Sequence, residues 1–304
     1  PLKALSNSKY TEFSQSFGPQ NVGILTGDRK ENADASVIVG TTEILRNQLY
    51  DAMHRGELLA ADFVVLDEAH YLGDEDRGVV WEEIIIYLPQ RIPLLLLSAT
   101  IGNAGQIAGW LSSIRTRPCR VINETRRPVP LHSLLLHPSG TLLPLTVPAK
   151  SAGKLKTYKK VNDFLKTGKG RGRPMDIGNI DDIMRVLRKF HLLPAIFFLK
   201  SRADCDRAVG NCRRTAEPQT ERKKQISEII NEFAAQRPHI LDHRQLWHLK
   251  DLGIGAHHSG QLPAWKLVLE KLMTAGLLDA VFATSTVSAG VNFPARSVVF
   301  FNSD

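Results

Sequence analysis

Short apolar runs alternate along the chain with stretches whose apolar positions recur every three to four residues. The runs at Val22–Thr26, Val37–Thr41, Phe63–Asp67, Leu94–Ser98 and Arg120–Asn123 predict strands, and a second set follows at Ala195–Leu199, Ala280–Thr284 and Ser297–Phe301. Several are apolar at consecutive positions, as in Phe63-Val64-Val65-Leu66 and Leu94 to Leu97. Both faces of such strands need cover, which predicts parallel sheet under helices. The helical period appears at Ala104, Ile107, Ala108 and Leu111, with Asn103 as a good N-cap. It recurs at Ile183, Val186, Leu187, Phe190, at Ile226, Ile229, Ile230, Phe233, and at Trp265, Val268, Leu269, Leu272. The last set follows Pro263, which suits a first helical position. Strand–helix alternation of this kind predicts an α/β fold in two successive units.

A different segment separates the two sets. Residues 126–150 hold five prolines, and residues 150–174 are rich in Lys, Arg and Gly. We read a first domain over 1–125, an inter-domain linker with a basic loop over 126–180, and a second domain over 181–304. A chain of 304 residues is long enough for two such cores. Its 43% hydrophobic and 23% charged content excludes disordered, collagen-like and disulfide-scaffold classes. The apolar run Ile92–Leu97 is far too short to span a bilayer. Three cysteines, Cys119, Cys205 and Cys212, form no CxxC pair, which predicts reduced thiols and a cytoplasmic protein. The net charge of +8 is confined to one place: residues 150–174 hold nine Lys or Arg against Asp163 alone, and the rest of the chain balances to zero. That segment reads either as a solvated basic loop or as a nucleic-acid tether.

The strongest local signal is Asp67-Glu68-Ala69-His70, at the carboxyl end of a strand, where open α/β sheets collect their chemistry. Adjacent carboxylates there suit a hard cation such as Mg²⁺ on a nucleotide, and the second can act as base toward water. An acidic turn with no chemistry has the same composition. Ser98-Ala99-Thr100 closes another apolar strand and offers hydroxyls that can bridge elements.

With these residues in view, the sequence resembles the superfamily 2 helicases, and among them the superkiller branch of DExH RNA helicases that work with the exosome. Residues 1–10 (PLKALSNSKY) resemble motif Ia and residues 40–50 (GTTEILRNQLY) motif Ib. DEAH at 67–70 is similar to motif II, and its continuation DRGVVWEE to a branch signature. SAT at 98–100 is similar to motif III, AIFFLKSRADCD at 195–206 to motif IV, and GIGAHHSGQLP at 253–263 to the branch's HHSG element. ATSTVSAGVNFPAR at 283–296 resembles motif V. The resemblance implies two tandem RecA-like domains that use ATP and Mg²⁺ in an inter-domain cleft. It implies that Asp67 holds Mg²⁺ through water, with Glu68 beside it as catalytic base. His70, Ser98 and Thr100 would couple hydrolysis to movement, and Gly290, Val291 and Asn292 would face the nucleotide. Lys3, Ser6, Asn7, Thr41, Thr42 and Glu43 would grip one nucleic-acid strand on the first domain, and Thr284, Ser285 and Thr286 on the second. The implied partner is single-stranded RNA, or a tailed RNA duplex, with a ribonuclease or other RNA-decay factor; no membrane partner is implied.

The pattern departs from the family in two places. No G-x-x-x-x-G-K-S/T phosphate loop occurs, and no arginine-bearing motif VI follows motif V. An internal helicase fragment is therefore expected, with negligible ATP hydrolysis of its own. Two alternatives stay open: a DNA helicase of the same superfamily, and a non-hydrolysing nucleic-acid-binding module. His257 and His258 lack companions at zinc-like spacing, and His239 and His243, four apart, read as solvated or capping residues.

Overall fold

The computed structural model describes residues 3–99, 101–137, 139–149, 155–166, 180–213, 220–284 and 293–301. Two compact units result, Pro1–Arg127 and Pro128–Asp304.

In the first unit, α1 (Lys3–Phe17) leads into β1 (Val22–Leu25), which pairs antiparallel with β2 (Lys30–Glu31) and parallel with β3 (Val37–Gly40). All four residues of β1 are buried. Gly23 is required there, because a Cβ would stand 2.0 Å from the Asn32 backbone oxygen. α2 (Thr42–Arg55) stops at Gly56, whose left-handed backbone (φ 64°) turns its N–H onto the carbonyls of Ala52 and Met53. β4 (Val64–Leu66) pairs parallel with β5 (Leu94–Leu96), with Leu66 opposite Leu96. α3 (Gly78–Tyr87) and α4 (Ala104–Ile114) complete the unit. Trp81, Ile84 and Ile85 of α3 and Leu111 of α4 pack with Val64, Leu66 and Leu49 into one core.

The second unit begins with two small antiparallel sheets, β6 (Leu134–Leu136) with β7 (Leu142–Pro144) and β8 (Thr146–Pro148) with β9 (Leu155–Thr157). α5 (Lys159–Lys166) follows. After it come α6 (Ile180–Lys189), β10 (Ala195–Phe198), α7 (Arg202–Asn211), α8 (Thr220–Gln236), β11 (Ile254–His257), α9 (Pro263–Thr274), β12 (Ala280–Ala283) and β13 (Ser297–Phe300). The main sheet has the order β11-β12-β10-β13, with every pairing parallel. Side-chain alternation splits its cover into two cores. Ala195, Phe197, Ala280 and Phe282 face α6 and α7, whereas Ile196, Val281 and Ala283 face α8 and α9. This is an α/β fold built on mostly parallel sheets, as expected from the apolar runs.

Several expectations are corrected. Arg120–Asn123 forms no strand, and Ile122 is 94% exposed. β4 and β5 are covered on one face only: Phe63, Val65, Leu95 and Leu97 are exposed among the described residues. Asn103 stands at the cap of α4 without a side-chain capping bond. Residues 126–180, expected as a linker, carry the two small sheets and α5, while 150–154 and 167–179 lie outside the described residues. No helix of the described residues is long and apolar enough to cross a membrane. The three cysteines are free thiols: Cys119 is exposed, and burial pushes the thiols of Cys205 and Cys212 up to about 12.

Candidate functional site

The acidic tetrapeptide sits where β4 ends. Asp67 Oδ1 accepts the Glu68 backbone N–H at 2.9 Å, and Glu68 itself adopts the left-handed conformation (φ 62°, ψ 43°). A non-glycine residue there is strained by about 1–3 kcal/mol, and such strain concentrates at functional positions. The tetrapeptide is fastened to β5 from both sides. Leu97 N–H donates to the Leu66 carbonyl at 3.0 Å, and Ala69 N–H donates to the Leu97 carbonyl at 2.8 Å. Ser98, the next residue along, is therefore beside the acidic turn. The His70 Nδ1 lies 3.2 Å from Glu68 Oε2, and its ring packs on Tyr71 at 4.5 Å. Asp67, Glu68, His70 and Ser98 thus come together. Thr100 lies outside the described residues.

A second cluster forms at the carboxyl ends of β1 and β3, which are tied by the Thr41 N–H to the Leu25 carbonyl. Here Asn7 of α1 is exposed and Thr41 is half-buried at the N-cap of α2. Ser6 and Thr42 are buried, so their side chains face the interior. Lys3 opens α1. Glu43 is drawn to Arg77 at the start of α3, with Oε1 accepting from Nη2 at 3.1 Å. Desolvation opposes its ionisation, but its own backbone N–H, Arg77 and Thr41 together hold the carboxyl below its ordinary range. An ionised Glu43 repels phosphate, so its geometry makes it an anchor of α2 on α3.

In the second unit, Thr284 follows β12 and is buried. Ser285, Thr286, Gly290, Val291 and Asn292 lie outside the described residues. Beside Thr284, at the end of β11, is a polar network that joins residues of the 195–206 and 253–263 motifs with Arg244 and Gln245 between them. Asp206 of α7 accepts from Gln245 Nε2 at 2.7 Å, Gln261 Nε2 at 3.1 Å and His258 Nε2 at 3.3 Å, and it pairs with Arg244. Gln245 Oε1 in turn accepts the Ala256 N–H at 3.0 Å. His257 pairs instead with Glu270 at 2.8 Å, so the two adjacent histidines serve separate carboxylates. His239 is exposed, whereas His243 is half-buried and stacks on Trp265 at 3.6 Å, a packing role that the spacing did not suggest.

The proton on His243 is fixed by its neighbours. Gln261 gives its N–H to Asp206, so its Oε1 accepts from His243 Nε2 at 2.9 Å, while Nδ1 accepts the Gln245 N–H at 3.2 Å. Burial lowers the His243 pKa from its ordinary 6.5; Arg244 reinforces this, while Gln261 and Asp206 oppose it. Below pH 6.5 the unfolded chain therefore binds the proton more readily than the folded one. The stability contributed by neutral His243 is whole above that pH and drains away as pH falls toward the lower folded value. An NMR titration of the His243 imidazole checks this: its midpoint is expected below 6.5, and a midpoint at or above it would contradict the arrangement.

Among the described residues no three His, Cys, Asp or Glu side chains converge as a metal cage. Mg²⁺ on a nucleotide needs only one or two carboxylates with water and phosphate, and Asp67 with Glu68 provides that donor set.

The parallel sheets, with carboxylates at a strained strand end, define an α/β protein whose acidic turn sits where such folds collect their chemistry. Residues 1–107 match the DEAD/DEAH box helicase family. The chain is 37% identical, over 98% of its length, to the DExH-box ATP-dependent RNA helicase DExH15 chloroplastic of Arabidopsis thaliana, covering 29% of that protein. It is also 37% identical, over 98% of its length, to the probable helicase HelY of Mycobacterium leprae, covering 35% of it. A third relative, the exosome RNA helicase MTR4 of Homo sapiens, is 37% identical over 99% of this chain, which covers 30% of it. The chain spans about a third of the length of these curated relatives.

Proposed function

We propose that the intact protein is an ATP-dependent RNA helicase or translocase. The observation that carries this is the strained Asp67-Glu68 turn fastened to β5, in a chain whose relatives bear RNA helicase names. Asp67 would hold Mg²⁺ through water, and that ion would neutralise charge on the triphosphate. Glu68 would take the proton from the attacking water at a carboxylate oxygen, with His70 steadying the other side of the carboxyl group. Each unit would carry its own grip on one strand, around Asn7 and Thr41 in the first and around Thr284 in the second. Such grips use small donors on the backbone rather than base-edge readers. An RNA-decay partner fits the exosome helicase among the relatives, and the unpaired thiols fit a reducing compartment such as the cytoplasm.

Matched RNA and DNA duplexes with single-stranded tails test the assignment on the intact protein. RNA is expected to stimulate ATP turnover and to be unwound at least about tenfold faster than DNA, through contacts to the 2′-hydroxyl. Equal or faster unwinding of DNA would make it a DNA helicase. No ATP turnover with either would make it a binding module.

A further inference from the structure

Asn7 is exposed, and the grip proposed above places it against the strand, yet nothing in α1 itself decides which way its amide points. That decision is made by the turn between β1 and β2. Arg29 Nη1 donates to Asn7 Oδ1 at 3.3 Å. With the oxygen engaged, the remaining polar atom of the Asn7 side chain is Nδ2, a donor of two N–H bonds. Arg29 is itself held on three sides. Its Nε donates to Glu31 Oε1 at 2.6 Å and its Nη2 to Glu31 Oε2 at 2.9 Å, a bidentate fork. Its guanidinium also lies over the Tyr10 ring at 4.7 Å. The turn is closed by the Thr26 N–H to the Arg29 carbonyl at 2.8 Å, with Thr26 Oγ1 on Asp28 at 3.1 Å.

We propose that Arg29, locked by Glu31 and Tyr10, is a positioning residue that orients the Asn7 amide with its N–H groups toward the phosphate backbone of the bound strand. The inference rests on the strand grip proposed for Asn7. Two simpler roles compete with it. An exposed Arg–Glu pair can be a surface ion pair of little consequence. Arg29 can also be a phosphate contact in its own right, with Glu31 masking it in the free protein.

Salt dependence separates these roles. Binding of a single-stranded RNA oligonucleotide to the intact protein would be followed by fluorescence anisotropy over a range of KCl concentrations. N7A, R29Q, R29K, E31Q and the double variant N7A/R29Q would be compared. Positioning predicts that N7A and R29Q each weaken binding by about threefold to tenfold. The double variant is then expected to be no weaker than N7A alone, because both changes remove one interaction. R29K, which keeps the charge but lacks the fork, should behave like R29Q, and E31Q should weaken binding too. The slope of log affinity against log salt should stay as in the wild type, since Arg29 touches no phosphate. A slope shallower by about 0.7 in R29Q would show a direct phosphate contact and overturn the proposal. Tighter binding by E31Q, or wild-type affinity in R29Q beside a weakened N7A, would overturn it as well. If N7A itself binds as the wild type does, the failure lies with the grip at Asn7, and this inference falls with it.

Discussion

Glu68→Gln in the intact protein is expected to reduce RNA-stimulated ATP turnover by about 10²- to 10⁴-fold, the contribution of a positioned general base. The substitution is chosen because it alters little else. Gln keeps the side-chain length and a carbonyl oxygen for His70, which lies 3.2 Å from Glu68 Oε2. Its backbone N–H still reaches Asp67 Oδ1, so the carboxylate assigned to Mg²⁺ keeps its orientation. What is lost is the capacity to accept a proton from water. RNA affinity should stay within about twofold, because the residues proposed to grip the strand belong to another cluster. Turnover within about tenfold of wild type would show that Glu68 is not the base.

Trp265→Ala carries the largest expected cost to folding, about 3–5 kcal/mol. Trp265 is among the largest fully buried side chains of the second unit, packed in the layer between the sheet and helices α8 and α9. Total stabilities of about 5–15 kcal/mol leave little margin for such a loss. The truncation also uncovers His243, which stacks on the indole, and so reaches the Asp206 network at the end of β11. Trp265→Phe should cost less, because it leaves a smaller cavity. A six-membered aromatic ring stays, and the indole Nε1 has no hydrogen-bond partner to lose among the described residues. Urea titrations of the two variants check the contrast. Equal midpoints would mean that the indole does not fill the core as described.

How far the sequence foretold this molecule depends on what each residue contributes. The parallel strands were legible because Val22–Leu25 and Ala280–Ala283 are apolar at every position, which only a doubly covered strand tolerates. Pro263 announced the start of α9 for an equally local reason. β11 was not read as a strand because Ile254 is its only β-branched residue and Gly255 and Ala256 favour no strand; its place is set by pairing with β12. The small sheets were obscured by Pro144 and Pro148, which read as breakers and stand at strand ends. Val121 and Ile122 misled in the opposite sense, since their propensity has no partner strand to act on among the described residues. At the acidic site the residue types were legible, but the left-handed backbone of Glu68 and the grip of Arg77 on Glu43 were not. Both are set by contacts that close across the fold, between residues 34 apart in the case of Arg77 and Glu43. The Asp206 network was invisible for the same reason: its members come from three separate segments.

The contrast among the three cysteines has a practical side. A maleimide reacts with thiolate, and at neutral pH a thiol whose pKa is pushed up to about 12 presents almost none, besides being sealed in the core. Cys119, in contrast, is exposed. Within these 304 residues a fluorophore or spin label therefore attaches at a single position in the first unit, with no cysteine to remove beforehand.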